Sequence, residues 1–308
     1  VLFLAVAGCA AAAGQRSTSP TIAVAPIEGC DAVRVAAVKL AAMDGVWTLP
    51  VEINGSRLRL LLDTGAERTL LSQATVARLG MRRDAGHQTQ TFGIGGLSTT
   101  DDALVSSFSL GGAYLPLPSV TVGSFGLPAG LDGMLGADVL SAFDVDLDAR
   151  DGRLTLYRAR DCPQTPPPWH EPYLSMGEIR RQRDRLLVPI VVDDTAGFAT
   201  LDTGAQDSAV SEAMAARVGV GADSLAADPT VSAHGAAADG VTVRVHRFRR
   251  LRIGPSEITD PVLPVVPIPE GLGDGLAGAD FMAGRRLWLS YASLKVFVTP
   301  LRIVAFAR

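Results

Sequence analysis

Two aspartates of this chain stand in the same five-residue setting. The stretch Leu62-Asp63-Thr64-Gly65-Ala66 returns as Leu201-Asp202-Thr203-Gly204-Ala205, so the pentapeptide LDTGA occurs twice, 139 residues apart. A lone Asp-Thr-Gly is an ordinary turn after a strand, and chance supplies one in roughly a tenth of chains this long. Two copies of the longer motif are not such a coincidence. Two carboxyls that share one proton can do acid and base work together, one taking a proton from water while the other delivers one to a leaving group. Like charges at close range resist joint ionisation, which keeps that proton shared. Gly65 and Gly204 let the main chain come close enough for its amides to donate to the carboxylates. Thr64 and Thr203 bring hydroxyls that can bond across to the opposing loop.

The elements that must position these residues are also duplicated. Each LDTGA ends an apolar run and precedes a short helical stretch, Gln73 to Leu79 stopped by Gly80 and Glu212 to Val218 stopped by Gly219. Further on, Leu131 to Asp138 is echoed by Gly273 to Asp280 at nearly the same offset, so the chain carries an internal duplication. Alternating Val46 to Ile53, a turn at Asn54-Gly55 and the run Leu58, Leu60, Leu62 predict a hairpin leading into Asp63. Leu186 to Val192, a turn near Asp194 to Gly197 and Phe198 onward predict the same approach to Asp202. Gln88 to Leu97, with Gly93, Gly95 and Gly96 at its tip, reads as a second hairpin. Val145 to Asp148, a turn at Asp151-Gly152, and Arg153 to Tyr157 close the first half. Asp138 and Asp280 are expected to cap the helical stretches that follow them, and Asp132 and Asp274 to sit in turns.

The repeated motifs resemble those of the aspartic peptidases, and the retropepsin-like branch more than the pepsin branch, over residues Val46 to Val298. In that family D-T-G-A is followed by a glycine-rich flap and then by two apolar residues and Gly ahead of a helix. The matching stretches here are Phe92-Gly93-Ile94-Gly95-Gly96 and Met134-Leu135-Gly136, then Ala233-His234-Gly235-Ala236 and Leu276-Ala277-Gly278. The resemblance implies a mostly β fold of two retropepsin-like (pepsin-type acid protease) β-barrel lobes with short helices. It also implies Asp63 and Asp202 as catalytic residues supported by Thr64, Gly65, Thr203 and Gly204, with flap contacts from Phe92 to Gly96 and from His234 and Gly235. His234 read by itself is a solvent-facing loop residue. The implied substrate is a polypeptide and the nucleophile is water, with no metal or cofactor. Retroviral members commonly carry Arg after the last Gly, whereas Ala137 and Ala279 stand here. The pepsin branch commonly has Ser or Thr after D-T-G; Ala66 and Ala205 offer no hydroxyl to the carboxyls, so activity is expected to persist toward neutral pH.

Composition bounds the rest. With 308 residues, 47% of them hydrophobic, the chain can bury the core of about two domains. A net charge of −4 argues against a nucleic-acid partner, and the basic runs Arg180 to Arg185 and Arg247 to Arg252 read as solvated faces. The apolar run of residues 1–9 ends Val6-Ala7-Gly8-Cys9, which reads as a lipobox with Cys9 lipidated. With Ala10 after the cysteine, the expectation is a periplasm-facing envelope protein on the outer membrane. Residues 10–44 read as a tether or pro-segment, 45–160 as the first lobe, 161–178 as a Pro-rich linker and 179–308 as the second lobe. Cys30 and Cys162 are the two remaining thiols and are expected to form a disulfide in an exported protein. Both halves of a site lie in one chain, so a monomer is expected. Two rivals use the same features: a catalytically weak peptide-binding lipoprotein on this fold, and a glycosidase built on two carboxylates. The first would be signalled by a missing aspartate. The second lacks its stacking groups, since no aromatic residue adjoins either LDTGA.

Overall fold

The structure is a computed structural model that describes residues 3–4, 31–93, 96–123, 126–160, 166–234, 241–269 and 271–301. Three sheets organise it. The first holds ten strands between Ala41 and Leu135, the second eleven, of which ten run from Arg180 to Ala277, and the third six strands that join the two lobes. The second sheet also takes Phe3–Leu4, which pair antiparallel with His234 and Ala233 at its edge.

The duplication is visible in the pairing itself. In the first lobe Val46–Ile53 and Ser56–Leu62 form the expected hairpin, with Asn54 and Gly55 both at positive φ in its two-residue turn. In the second, Arg185–Val192 pairs with Thr195–Leu201 in the same way. Its turn is Asp193-Asp194 rather than the stretch out to Gly197, which lies inside the strand. Each hairpin feeds a strand that leads straight into an LDTGA loop. That strand lies parallel to a short partner, Gly133–Leu135 in one lobe and Gly275–Ala277 in the other. The same partner pairs antiparallel with the strand leaving the loop, Leu70–Ser72 or Ala209–Ser211. Each LDTGA loop is therefore held on both sides by one three-residue strand.

Helices Gln73–Arg78 and Glu212–Arg217 follow, capped by Ser72 and Ser211, whose hydroxyls accept from the amides of Thr75 and Met214 at 3.1 and 3.0 Å. The helix Ala222–Ala226 has no counterpart among the described residues of the first lobe, and nothing in the repeat signals it. The first flap hairpin runs from Arg83–Gly93 to Gly96–Leu104, longer than expected, with a register irregularity between Asp84 and Gln88. The second pairs Thr230–His234 with Val241–Arg247.

The third sheet corrects two expectations. Residues Asp31–Lys39, expected in the tether, form a nine-residue strand against Arg153–Arg160, and Ala41–Met43 pair with the start of the first lobe. The segment expected as a linker also docks. Leu174–Ser175 pair with Val298 and Phe297, and Trp169 and Tyr173 are buried against Trp288 and Phe297. Aromatic side chains in a Pro-rich stretch supply apolar area that a solvated spacer would not carry.

At the centre of this sheet Asp144–Asp148 lies antiparallel to Arg286–Ser290, one strand from each lobe. Asp144, Asp146 and Asp148 are all buried. The Arg286 guanidinium donates to both oxygens of Asp146 at 2.6 and 2.8 Å and stacks over Trp169. Arg150 bonds Asp148 and, twice at 2.7 Å, Glu171. Buried acids are tolerated where such partners neutralise them and satisfy their lone pairs.

Candidate active site

Asp63 and Asp202 are buried, at 0% and 5% exposure, within a core that is mostly apolar. Burial of that kind demands local donors. Asp63 Oδ1 accepts from the amides of Gly65 and Ala66 at 2.9 and 2.8 Å, and Asp202 Oδ1 from those of Gly204 and Ala205 at 2.8 and 3.1 Å. Their own amides donate to Leu135 and Ala277, the last residues of the two short strands.

The two loops face each other across the boundary between the lobes. A Cβ built on Gly65 would lie 2.5 Å from Asp202 Cγ, and one on Gly204 would lie 2.5 Å from Asp63 Cγ. Only glycine permits that approach. Thr64 Oγ1 donates to the carbonyl of Leu201 at 2.6 Å and accepts from the amide of Thr203 at 3.0 Å. Thr203 Oγ1 donates to the carbonyl of Leu62 at 2.8 Å and accepts from the amide of Thr64 at 3.0 Å. The four bonds form a closed, reciprocal lock beneath the carboxyls.

Asp63 Oδ2 is buried and meets no hydrogen-bond donor among the described residues, while the Asp202 carboxyl lies beside Asp63. Two ionised carboxylates cannot bond each other; a hydrogen bond between them requires one to keep its proton. Burial, and next the negative charge of Asp202, push Asp63 up to about 7. A carboxyl that keeps its proton toward neutral pH can deliver one, which is the acid half of combined acid and base work.

Behind each loop sits the second repeated element. Ala137 and Asp138 donate their amides to the carbonyls of Ala66 and Glu67, and Ala279 and Asp280 do the same to Ala205 and Gln206. Asp138 and Asp280 do not cap the helices after them, as the sequence suggests, because those helices start one residue earlier with Gly136 and Gly278 at the cap. Their carboxylates accept from the next amide, Val139 or Phe281, and also reach back. Asp138 Oδ1 accepts from the amide and hydroxyl of Thr69, and Asp280 Oδ1 from those of Ser208, at 2.7 to 2.9 Å. Asp132 and Asp274 also do more than turn: Asp132 accepts from the Arg59 amide and pairs with Arg78, and Asp274 accepts from the Phe198 amide and pairs with Arg217.

The chain's similarities to known proteins fall on these same stretches. A family model described as aspartyl protease matches residues 49–139 and again residues 188–281, more than half of the chain and once for each repeat. The chain belongs to the aspartyl protease family. Among solved structures it is similar to a retropepsin-like aspartic protease from Rickettsia conorii, at 19% identity and a TM-score of 0.31, covering 42% of this chain and 95% of that one. No curated protein matches it.

Within this aspartyl protease framework the structure brings Asp63, Thr64, Gly65, Asp202, Thr203 and Gly204 together. The backbone of Phe92 and Gly93 pairs with that of Leu97 and Gly96 at the first flap tip, and His234 ends the strand of the second. Ile94, Gly95 and Gly235 lie outside the described residues, as do Cys9, Cys30 and Cys162. Two charged residues beside the aspartates escape a reading of the sequence. Glu67 follows the first LDTGA, and Arg185 falls in a basic run that reads as a solvated face, yet it is buried against Glu67 of the other lobe. The signal that could find them is asymmetry between the repeats, since Gln206 and Val46 stand at the matching positions.

Proposed function

We propose that the chain is a single-chain aspartic endopeptidase in which Asp63 and Asp202 activate water against the peptide bond of a polypeptide. One observation carries this reading: two carboxyls from duplicated loops lie against each other's glycine, each with one oxygen occupied by two amides and the other free of amide donors among the described residues. With Asp63 pushed up to about 7 by burial and by Asp202, the pair shares one proton, and the carboxylate of the pair takes a proton from water as the water oxygen attacks the carbonyl carbon. The carboxylic acid protonates the carbonyl oxygen. The tetrahedral diol then collapses: the carboxyl that took the water proton gives it to the nitrogen, the other carboxylate takes a proton from a diol hydroxyl, and the C–N bond breaks to leave a carboxylic acid, an amine and the singly protonated pair.

The test is proteome-derived peptide cleavage profiling with the purified chain beside an Asp63→Asn variant. Cleavage products seen with the parent and absent with the variant support the reading; identical peptide pools from both defeat it. We further propose envelope attachment through a lipid on Cys9, checked by incorporation of a fatty-acid analogue that Cys9→Ser abolishes, and a Cys30–Cys162 bridge, checked by resistance of both thiols to alkylation until reductant is added. Neither depends on the other.

A further inference from the structure

The lobes repeat each other's pairing but differ in what fills it where the flap strands join the sheet. In the first lobe Asp102, on the returning flap strand, is buried at 2% exposure. Its Oδ1 accepts from Thr89 Oγ1 of the outgoing flap strand at 2.7 Å and from Thr121 Oγ1 at 3.4 Å. Its Oδ2 accepts from Ser119 Oγ at 3.0 Å and from Arg68 Nη2 at 2.6 Å. Arg68 leaves the LDTGA loop, and its main chain packs against Gly136, where a Cβ would lie 2.5 Å from the Arg68 carbonyl carbon. Nη2 also donates to Ser119, while the buried Nε meets no acceptor among the described residues. One carboxylate therefore gathers both flap strands, their neighbour Ser119–Gly123 and the exit of the catalytic loop.

The strand registers give the second-lobe counterparts. Val122 pairs with Leu71, and Val265 pairs with Val210 one repeat later. Stepping along the ladders from there, Asp102 matches Val245, Thr121 matches Pro264, Ser119 matches Val262 and Thr89 matches Val231. Asp207 stands in place of Arg68. The second flap thus carries aliphatic side chains where the first has a polar knot. Its own polar ties run elsewhere: His246 Nδ1 lies 2.6 Å from Asp228 Oδ2, and Arg244 donates to the Asp228 carbonyl at 2.7 Å. Asp228 lies just past the helix Ala222–Ala226, which is no part of the catalytic loop.

We infer that Asp102 is a positioning residue that fastens the first flap to the first catalytic loop, leaving the second flap as the one that moves to admit a polypeptide. Swinging the first flap away from its loop would part a buried carboxylate from four donors, and charge-assisted bonds are strongest where water is excluded. The valines and the proline make dispersion contacts that have no preferred direction. The second flap can therefore shift over its loop at little cost and carry the helix Ala222–Ala226 with it. The first flap then serves as a fixed wall against which the peptide is held.

The inference rests on the endopeptidase reading for its functional consequence, and the experiment keeps the two apart. Amide hydrogen exchange is followed by mass spectrometry in the parent chain, in Asp102→Val and Thr89→Val, each of which carries the residue of the second lobe, and in Thr89→Ser. In the parent, residues 88–92 and 97–102 should exchange about tenfold more slowly than residues 230–234 and 241–245. Thr89→Val should speed the first set while residues 46–62 keep their rate, and Thr89→Ser should restore it. Asp102→Val, where it folds, should remove the difference between the flaps. On a peptide cut in an Asp63-dependent way, Thr89→Val should raise KM about fivefold with kcat within about twofold of the parent. Equal exchange of the two flaps in the parent, acceleration spread over the whole first lobe, or a first flap unmoved by Thr89→Val overturns the role of Asp102. So does a loss that falls on kcat alone. Absence of any Asp63-dependent cut overturns the endopeptidase reading, and the exchange rates still decide whether Asp102 fastens the first flap.

Discussion

Glu67 of the first lobe lies 2.6 Å from Arg185 of the second, so the residue after the first LDTGA is gripped by the opposite half of the molecule. Arg183 holds its other oxygen at 2.8 Å. The matching contact on the far side is uncharged, with Gln206 packed on the turn at Gly45. Glu67→Gln leaves the buried Arg185 cation without its counter-charge and should cost about 3 kcal/mol in chemical denaturation. Arg183→Ala, at an exposed position, should leave the midpoint nearly unchanged.

The reciprocal lock of Thr64 and Thr203 makes a second expectation. Thr64→Val removes the hydroxyl that serves both the Leu201 carbonyl and the Thr203 amide, both buried. Two unsatisfied backbone groups should lower stability by about 2 to 4 kcal/mol, whereas Thr64→Ser, which keeps the hydroxyl, should lose much less. Urea unfolding of the three proteins decides between this and a merely apolar role for the side chain.

Gly204→Ala tests how closely the loops must approach. Its methyl would sit 2.5 Å from Asp63 Cγ, so the carboxyls must separate or turn. A fall in kcat of at least about a hundredfold is expected in a chain that still folds, followed by single-turnover kinetics and circular dichroism.

The pH dependence has a definite sign. Asp63, raised to about 7 by burial and by Asp202, binds its proton more tightly in the folded chain than in the unfolded one. Stability should therefore fall as pH rises from about 4 to 7 and stay low beyond. Asp63→Asn, which cannot ionise, should melt higher than the parent at pH 8, the difference closing toward pH 4. Activity should decline above about pH 7 as the shared proton is lost. Ala66→Thr should bring that alkaline limit down by about one pH unit, since a hydroxyl at this half-buried position favours the ionised form; fully buried Ala205 is the poorer place to add one.

Much of this site is legible in the amino-acid sequence alone. The paired LDTGA motifs, the hairpins that enter them and the Gly136 and Gly278 elements behind them are local patterns repeated in order, and repetition turns a weak motif into a strong one. The residues that stay hidden depend on where the lobes sit relative to each other. Arg185 begins an apolar strand and touches Glu67 more than a hundred positions earlier, a pairing no periodicity encodes. Asp138 and Asp280 show the same limit at shorter range. Their types suit a helix cap, but beyond the next amide each carboxylate also binds the amide and hydroxyl of Thr69 or Ser208 on the loop it braces. Residues 31–43 resemble a tether because Ala-rich strands at a sheet edge have little contrast between their two faces.

The strands that join the lobes have a bearing on descent. Asp146 and Asp148 on one strand meet Trp288 and Arg286 on the other, and each set suits only its opposite. A protein assembled from two first halves would bury acid against acid along this seam, and one from two second halves would set Trp288 against its twin and leave Arg286 opposite Ser290 with no acid to meet. Whatever symmetric ancestor gave rise to the repeat, its halves have since become obligate mates. Restoring a homodimer would require rewriting this seam first, even with both aspartates intact.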